Sequence, residues 1–278
     1  MKIPDLLERA IEEEIQGVKI TELKEIAQEL SNRYMNEKRS GQTLLSKEKE
    51  ALAYLGIRMP ATFCAVTTAL KHTLSVAQNC NIETVLDIGT GTGAAVWAIN
   101  EQIDTAKITC LEREEAMRKV GQELMKKSEE LSKVDWIDAD ITKIEDIKSA
   151  DLIISSYMIN ELKQEERKKV IQKLLNLESK IILIVEPGTP EGFKNIKEIQ
   201  KIALENDFDN MINNSIKKGR HRVKYNSIKE IWEENSNDWL HALDKIAYLK
   251  EEKINVDELE YVLTEIFKKY NNIFESDN

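Results

Sequence analysis

Apolar residues recur every three or four positions through the first part of the chain and then change to strand-like runs. Leu6, Leu7, Ala10, Ile11 and Ile15, followed by Leu23, Ile26, Ala27 and Leu30, predict two amphipathic helices over about residues 3–38. Ser40-Gly41 breaks that pattern, and a further helical stretch runs from about Ser46 to Met59. Pro60 suits the start of the next helix, because an N–H missing from a first turn needs no partner there. That helix is expected to reach about Gln78.

From residue 82 short β-branched runs alternate with longer amphipathic ones. TVLDIG (84–89), KITCLE (107–112), VDWID (134–138), DLIISSYM (151–158) and KIILIVE (180–186) read as strands with helices between them. Such strands need covering on both faces and long crossovers, which predicts an α/β fold with a doubly wound, mostly parallel sheet. The expected organisation is an N-terminal helical region over 1–80, a Rossmann-like core over 81–206 and a mainly helical segment over 207–278. In the last, helical periodicity runs over 228–249 and 256–273, and RVKYN (222–226) is the one expected strand.

Composition adds limits. The 278 residues suffice for one sizeable domain and an appendage, and the net charge of -10 opposes bulk attraction to phosphate. Nucleic-acid contact therefore has to be local, and KKGRHRVK (217–224) is the concentrated basic run, either a phosphate contact or a solvated loop. Cys64, Cys80 and Cys110 form neither a disulfide framework nor a metal motif, and Cys64 reads as a small buried hydrophobe. His72, His221 and His241 lack metal-ligand spacing, so no metal is expected. MKIPDLLERAIEEEI contains no apolar run suited to a signal or membrane span, which predicts a cytoplasmic protein with no membrane partner.

VLDIGTGTGAA (85–95) passes from a strand to a helix, and Gly89, Gly91 and Gly93 are expected to leave room for a ligand at the helix amino terminus. Gly89, Gly91 and Ala94 also satisfy the dinucleotide fingerprint. Asp87 favours S-adenosylmethionine instead, since a carboxylate there repels a pyrophosphate but holds a methionine ammonium. Glu112 ends the next strand, where its oxygens can accept both ribose hydroxyls, and Asp140 follows the third strand within reach of an adenine amine. Singly, each carboxylate is equally a solvated loop residue. Thr90, Arg113, Ile141 and Ser156 join the expected cofactor-binding set, and Arg58 reaches either a cofactor carboxylate or a neighbouring helix.

AYLGIRMPATFCAV (53–66), the glycine loop, LEREEAM (111–117), SSYMINEL (155–162) and EPGTPEG (186–192), in that order, resemble the methyltransferase-like proteins associated with the mitochondrial small ribosomal subunit, in their bacterial branch. The resemblance covers roughly residues 45–205. It implies the class I S-adenosylmethionine-dependent methyltransferase fold, binding of that cofactor, and assembly or methylation of the small ribosomal subunit or its RNA. It also implies a cysteine-rich segment, similar to an iron-sulfur site, after the Glu-Pro-Gly stretch; residues 193–278 contain no cysteine, so no such cluster is expected there.

Ligands of doubly wound sheets lie beyond the carboxyl ends of the strands, so Tyr157, Asn160, Glu161 and Glu186 are the expected polar groups at the methyl-transfer end. Asn160 equally suits the cap of a helix starting near Glu161, and Thr189 the cap of one opening at Pro190. No Asn-Pro-Pro-Tyr motif or cysteine nucleophile accompanies strands four and five. The expected function is methyl transfer to ribosomal RNA or the small subunit. The alternatives are methylation of a small molecule or protein, a non-catalytic assembly factor retaining the cofactor fold, and, opposed by Asp87, a nicotinamide-dependent oxidoreductase.

Overall fold

The computed structural model describes residues 2–36, 48–77, 80–104 and 107–217, with side chains described to 30 in the first segment and to 206 in the last. The chain divides into two compact units, Met1–Leu204 and Glu205–Asn278. The basic run 217–224, apart from the backbone of Lys217, lies outside the described residues, as do RVKYN and the helices expected over 228–249 and 256–273.

Four helices precede the sheet: α1 (Asp5–Ile15), α2 (Ile20–Asn36), α3 (Glu48–Ile57) and α4 (Met59–Val76). Helix α1 buries Leu7, Ala10 and Ile11 on one stripe and carries Asp5 and Glu8 in its first turn, where the helix dipole favours acids. It stops before Gly17, whose φ of 96° is the left-handed conformation that glycine adopts at low cost. Helix α4 has Pro60 in its first turn, as its ring geometry allows.

The sheet comprises β1 (Thr84–Ile88), β2 (Lys107–Glu112), β3 (Asp135–Asp138), β4 (Leu152–Ser156) and β5 (Ile181–Val185). All neighbours pair in parallel in the order β3-β2-β1-β4-β5. The order reverses between β1 and β4, the switch point beyond which doubly wound sheets bind ligands. Helices α5 (Ala94–Asn100), α6 (Glu115–Met125), α7 (Gln164–Leu175) and α8 (Pro190–Lys217) supply the crossovers and follow β5. Parallel strands, this order and helices on both faces make a doubly wound, Rossmann-like fold.

Alternation along the strands builds two cores. Val85, Cys110, Leu152 and Ile154 face a cluster filled by α1, α3, α4, α5 and α6, with Trp97, Leu55 and Met59 fully buried. Leu86, Ile88, Leu111 and Ile153 face the other side, where Val170, Ile171 and Leu174 of α7 pack with Ile199 and Ile202 of α8. The amino-terminal helices thus share a core with the sheet: Leu7 and Leu55 belong to the same cluster as Val85 and Val96. Among the described residues, no helix is long and apolar enough to cross a membrane.

Candidate functional site: an acidic cleft at the carboxyl edge of the sheet

Three glycines carry the β1–α5 turn with φ of 69°, 59° and 95° at Gly89, Gly91 and Gly93. These left-handed angles, rather than open space, account for the residue type. A Cβ on Gly89 would stand 2.4 Å from Met158 Cγ, and one on Gly93 would stand 2.2 Å from Met125 Cε. The expectation that all three leave room for a ligand is therefore corrected: Gly89 and Gly91 line the cleft, whereas Gly93 caps α5 behind it, against Met125. Gly121, which carries no motif signal, holds this arrangement together. Its missing side chain lets α6 approach so closely that a Cβ would stand 2.7 Å from the Trp136 ring and 3.2 Å from the Gly91 carbonyl oxygen.

A cleft partly open to solvent lies at this edge of the sheet. Its wall includes Gly89, Gly91, Glu112, Arg113, Asp140, Ile141, Ser156, Tyr157 and Glu161 of the expected set. Sequence reasoning missed Tyr54, Glu114, Met117, Met158 and Leu162, which also line it, although each stands in or beside a motif stretch. Tyr54 brings α3 into a site otherwise built by the strand ends, the loops after them and Met117 of α6.

Glu112 is buried at the end of β2, with one oxygen accepting the Gly91 N–H at 2.7 Å and the other the Glu114 N–H at 2.8 Å. Burial raises its pKa despite these two bonds. Each carboxylate oxygen offers two lone pairs, so acceptor capacity remains for a ligand. Asp140 behaves differently. One oxygen accepts from the Thr142 N–H at 2.9 Å and hydroxyl at 2.7 Å, and the other lies 3.8 Å from Arg113 and 3.5 Å from Lys143. These bonds and cations outweigh partial burial, so its pKa is lowered. Arg113 also pairs with Glu114 at 3.0 Å.

Other expected residues stand behind the wall. Asp87 is fully buried, and neither carboxylate oxygen has a hydrogen-bond partner among the described residues. Burial pushes its pKa up to about 7. Strand alternation turns it to the same face as Val85, under the glycine turn, rather than into the cleft. Thr90 is buried with its hydroxyl donating to the Asp87 carbonyl oxygen at 3.0 Å. Arg58 is exposed at the start of α4 and is not part of the wall.

The turn after β4 departs most from expectation. Asn160 does not cap a helix: it lies inside a 3-10 turn, Ile159–Glu161, and α7 begins later, at Gln164. Its N–H donates to Glu186 Oε1 at 3.3 Å, and Glu186 Oε2 accepts from Asn195 Nδ2 at 3.4 Å. Neither Asn160 nor Glu186 is in the wall; the carboxylate after β5 anchors the turn that carries Tyr157 and Glu161. Burial raises the Glu186 pKa to about 7. Tyr157 adopts φ of 61°, an uncommon conformation for a side chain of its size, with its N–H donating to the Val185 carbonyl at 2.8 Å. Thr189 does cap α8, its hydroxyl accepting the Gly192 N–H at 3.1 Å.

A cleft lined by Glu112, Glu114, Asp140 and Glu161, with one facing arginine and Asp87 buried behind its wall, favours a ligand with a positive centre. Among the described residues, no group of three or more His, Cys, Asp and Glu is placed to hold a metal ion.

The chain is 24% identical over 171 residues to the human ribosome assembly protein METTL17, mitochondrial, covering 59% of this chain and 37% of that protein. It is 34% identical over 82 residues to the tRNA1(Val) (adenine(37)-N6)-methyltransferase of Glaesserella parasuis serovar 5, covering 30% and 35% of the two chains. It thus spans little more than a third of the curated relatives it matches. Among solved structures, a putative S-adenosylmethionine-dependent methyltransferase of Methanococcus maripaludis matches 74% of this chain and 87% of its own at 18% identity and a TM-score of 0.42. Human N-acetylserotonin methyltransferase in complex with its cofactor matches 57% and 48% at 16% identity and a TM-score of 0.41. The profile of the family described as mitochondrial small ribosomal subunit Rsm22 matches residues 48–212, and with that match spanning most of the fold described above, the chain belongs to this family.

Proposed function

We propose that the cleft binds S-adenosylmethionine and that the protein methylates the small ribosomal subunit, with its RNA as the acceptor. The observation that carries the cofactor reading is the run of carboxylates at the carboxyl ends of successive strands: Asp87 near the end of β1, Glu112 at the end of β2 and Asp140 after β3. Glu112 would accept the ribose hydroxyls with the lone pairs its two backbone bonds leave, and Asp140 with Ile141 would receive the adenine. Asp87 acts on the cationic end of the cofactor through a buried, weakly screened field, not by direct contact. When bound, the cofactor supplies a methyl group activated by its sulfonium. Tyr157 and Glu161, on the turn held by Glu186, would orient the acceptor.

The ribosomal part rests on the family and on the relative named as a ribosome assembly protein; the other curated relative is named as a tRNA methyltransferase. A cytoplasmic site of action is part of the proposal. A second reading, an assembly factor that binds the cofactor without turnover, is favoured by one observation: Glu186 is committed to Asn160 and Asn195 and does not reach the cleft.

Calorimetric titration with S-adenosylmethionine, followed by transfer of a tritiated methyl group to small subunits and to free ribosomal RNA, separates these readings. Binding with transfer supports the enzyme. Binding with co-sedimentation on precursor subunits but no transfer supports the assembly factor. Absence of binding overturns both.

A further inference from the structure

Helix α8 presents a face of unusual composition. Between Pro190 and Leu204, every exposed charged residue is a lysine: Lys194, Lys197 and Lys201. The acids of this segment are withdrawn. Glu198 turns inward to the buried Arg167 at 3.2 Å and to Gln164 at 3.0 Å, and Glu191 is half-buried. Amid the lysines stands Phe193, 65% exposed, with Lys197 Nζ 5.6 Å from the centre of its ring. Residues four apart share a helix face, so Phe193, Lys197 and Lys201 form a stripe about 12 Å long with Lys194 at its flank.

A single exposed apolar residue is ordinary. An exposed aromatic ring with a lysine ammonium over it and further exposed lysines on the same turns, on a chain of net charge -10, requires a more specific account. Anionic single strands are bound by this combination, in which a base stacks on the ring while ammonium groups neutralise flanking phosphates. Duplex RNA keeps its bases stacked and would gain only the charge contacts. The stripe also connects to the cleft. Asn195, on the inward side of the same turns, bonds Glu186, which holds the turn bearing Glu161.

We propose that Phe193, Lys194, Lys197 and Lys201 form a docking surface for single-stranded RNA, seating an unpaired base on Phe193. The inference rests on the small-subunit reading for the source of the RNA, and its test uses no cofactor, so failure of S-adenosylmethionine binding would leave it standing.

The test is fluorescence anisotropy of the full chain with a labelled single-stranded RNA dodecamer and the corresponding duplex, titrated across salt. Lys194→Gln/Lys197→Gln should reduce the logarithmic salt slope by about 1.4, or ~0.7 for each phosphate no longer neutralised. Phe193→Ala should weaken single-strand binding about tenfold, leave the salt slope unchanged and leave duplex binding unaltered. Both variants lie at exposed positions, and an unchanged thermal midpoint verifies folding. RNA affinity and slope untouched by either variant would overturn the proposal and direct attention to 217–224. Absence of RNA binding would overturn it as well, and adsorption to phosphatidylglycerol vesicles that both variants abolish would then assign the stripe to a membrane surface.

Discussion

Glu186 Oε1 accepts the Asn160 N–H at 3.3 Å, so the carboxylate that follows β5 fixes the turn that follows β4. Two motif stretches that look like separate contributors to a reactive centre are parts of one clamp, continued through Asn195 to Arg167. Glu186→Gln keeps an acceptor for Asn160 and should retain the thermal midpoint and S-adenosylmethionine affinity within about threefold, a cost of ~0.6 kcal/mol. Glu186→Ala removes that acceptor and should cost about 1–3 kcal/mol of stability, measured by urea denaturation, while lowering methyl transfer far more than the Gln variant does. Equal losses in the two variants would show that the bond to Asn160 does not position the turn.

Asp87 gives the pH dependence a definite sign. Its folded pKa is raised to about 7 from an ordinary 3.8, so between these values the folded chain holds a proton that the unfolded chain has released. The stability from this group is complete below the unfolded pKa and is lost as pH rises through 7. Asp87→Asn removes the ionisation, so its stability relative to the parent should rise by about 2–3 kcal/mol between pH 5 and pH 8. The same substitution should weaken binding of the cationic cofactor at pH 8 and flatten its pH dependence, which calorimetry at both values would read. Glu186 titrates in the same range and is intact in both proteins, so its contribution cancels in the comparison.

Glu112 should matter twice. Glu112→Ala leaves the Gly91 and Glu114 N–H groups without their acceptor and removes the proposed ribose contact. A loss of about 1.5–3 kcal/mol in S-adenosylmethionine affinity is expected, together with faster hydrogen exchange at the Gly91 amide in the free protein. Unchanged exchange would mean that the glycine turn holds its shape without the carboxylate.

Periodicity alone makes the order of elements legible. Ile108, Cys110 and Leu111 in one short run, and the shift from helical to strand spacing near residue 82, suffice to place strands after helices. Site residues are legible where the strand end by itself fixes them, as at Glu112 and Asp140. They are not where a side chain's direction depends on a distant partner. Asn160 resembles a helix cap until Glu186, which follows another strand, takes its N–H; Gly93 resembles ligand space until Met125 fills it. Local sequence contains no record of such approaches.

Gly121 and Gly17 make a controlled pair for the last prediction. Gly17 has φ of 96° and nothing within 4 Å of where a Cβ would stand, so Gly17→Ala should cost only the backbone strain, about 1 kcal/mol. Gly121 has ordinary helical backbone but no space: the added carbon would stand 2.7 Å from Trp136 and 3.2 Å from the Gly91 carbonyl. Alanine favours a helix over glycine by about 1 kcal/mol, and overpacking opposes it by about 1–3 kcal/mol. The clash is with a packed ring and the glycine turn itself, so it should win. Gly121→Ala is therefore expected to lower stability and, by displacing the Gly91 turn, to weaken S-adenosylmethionine binding, whereas Gly17→Ala lowers stability and leaves binding intact. Denaturation and titration of the two variants side by side measure both effects; a Gly121→Ala protein as stable as the parent and binding normally would show that α6 yields without disturbing the turn.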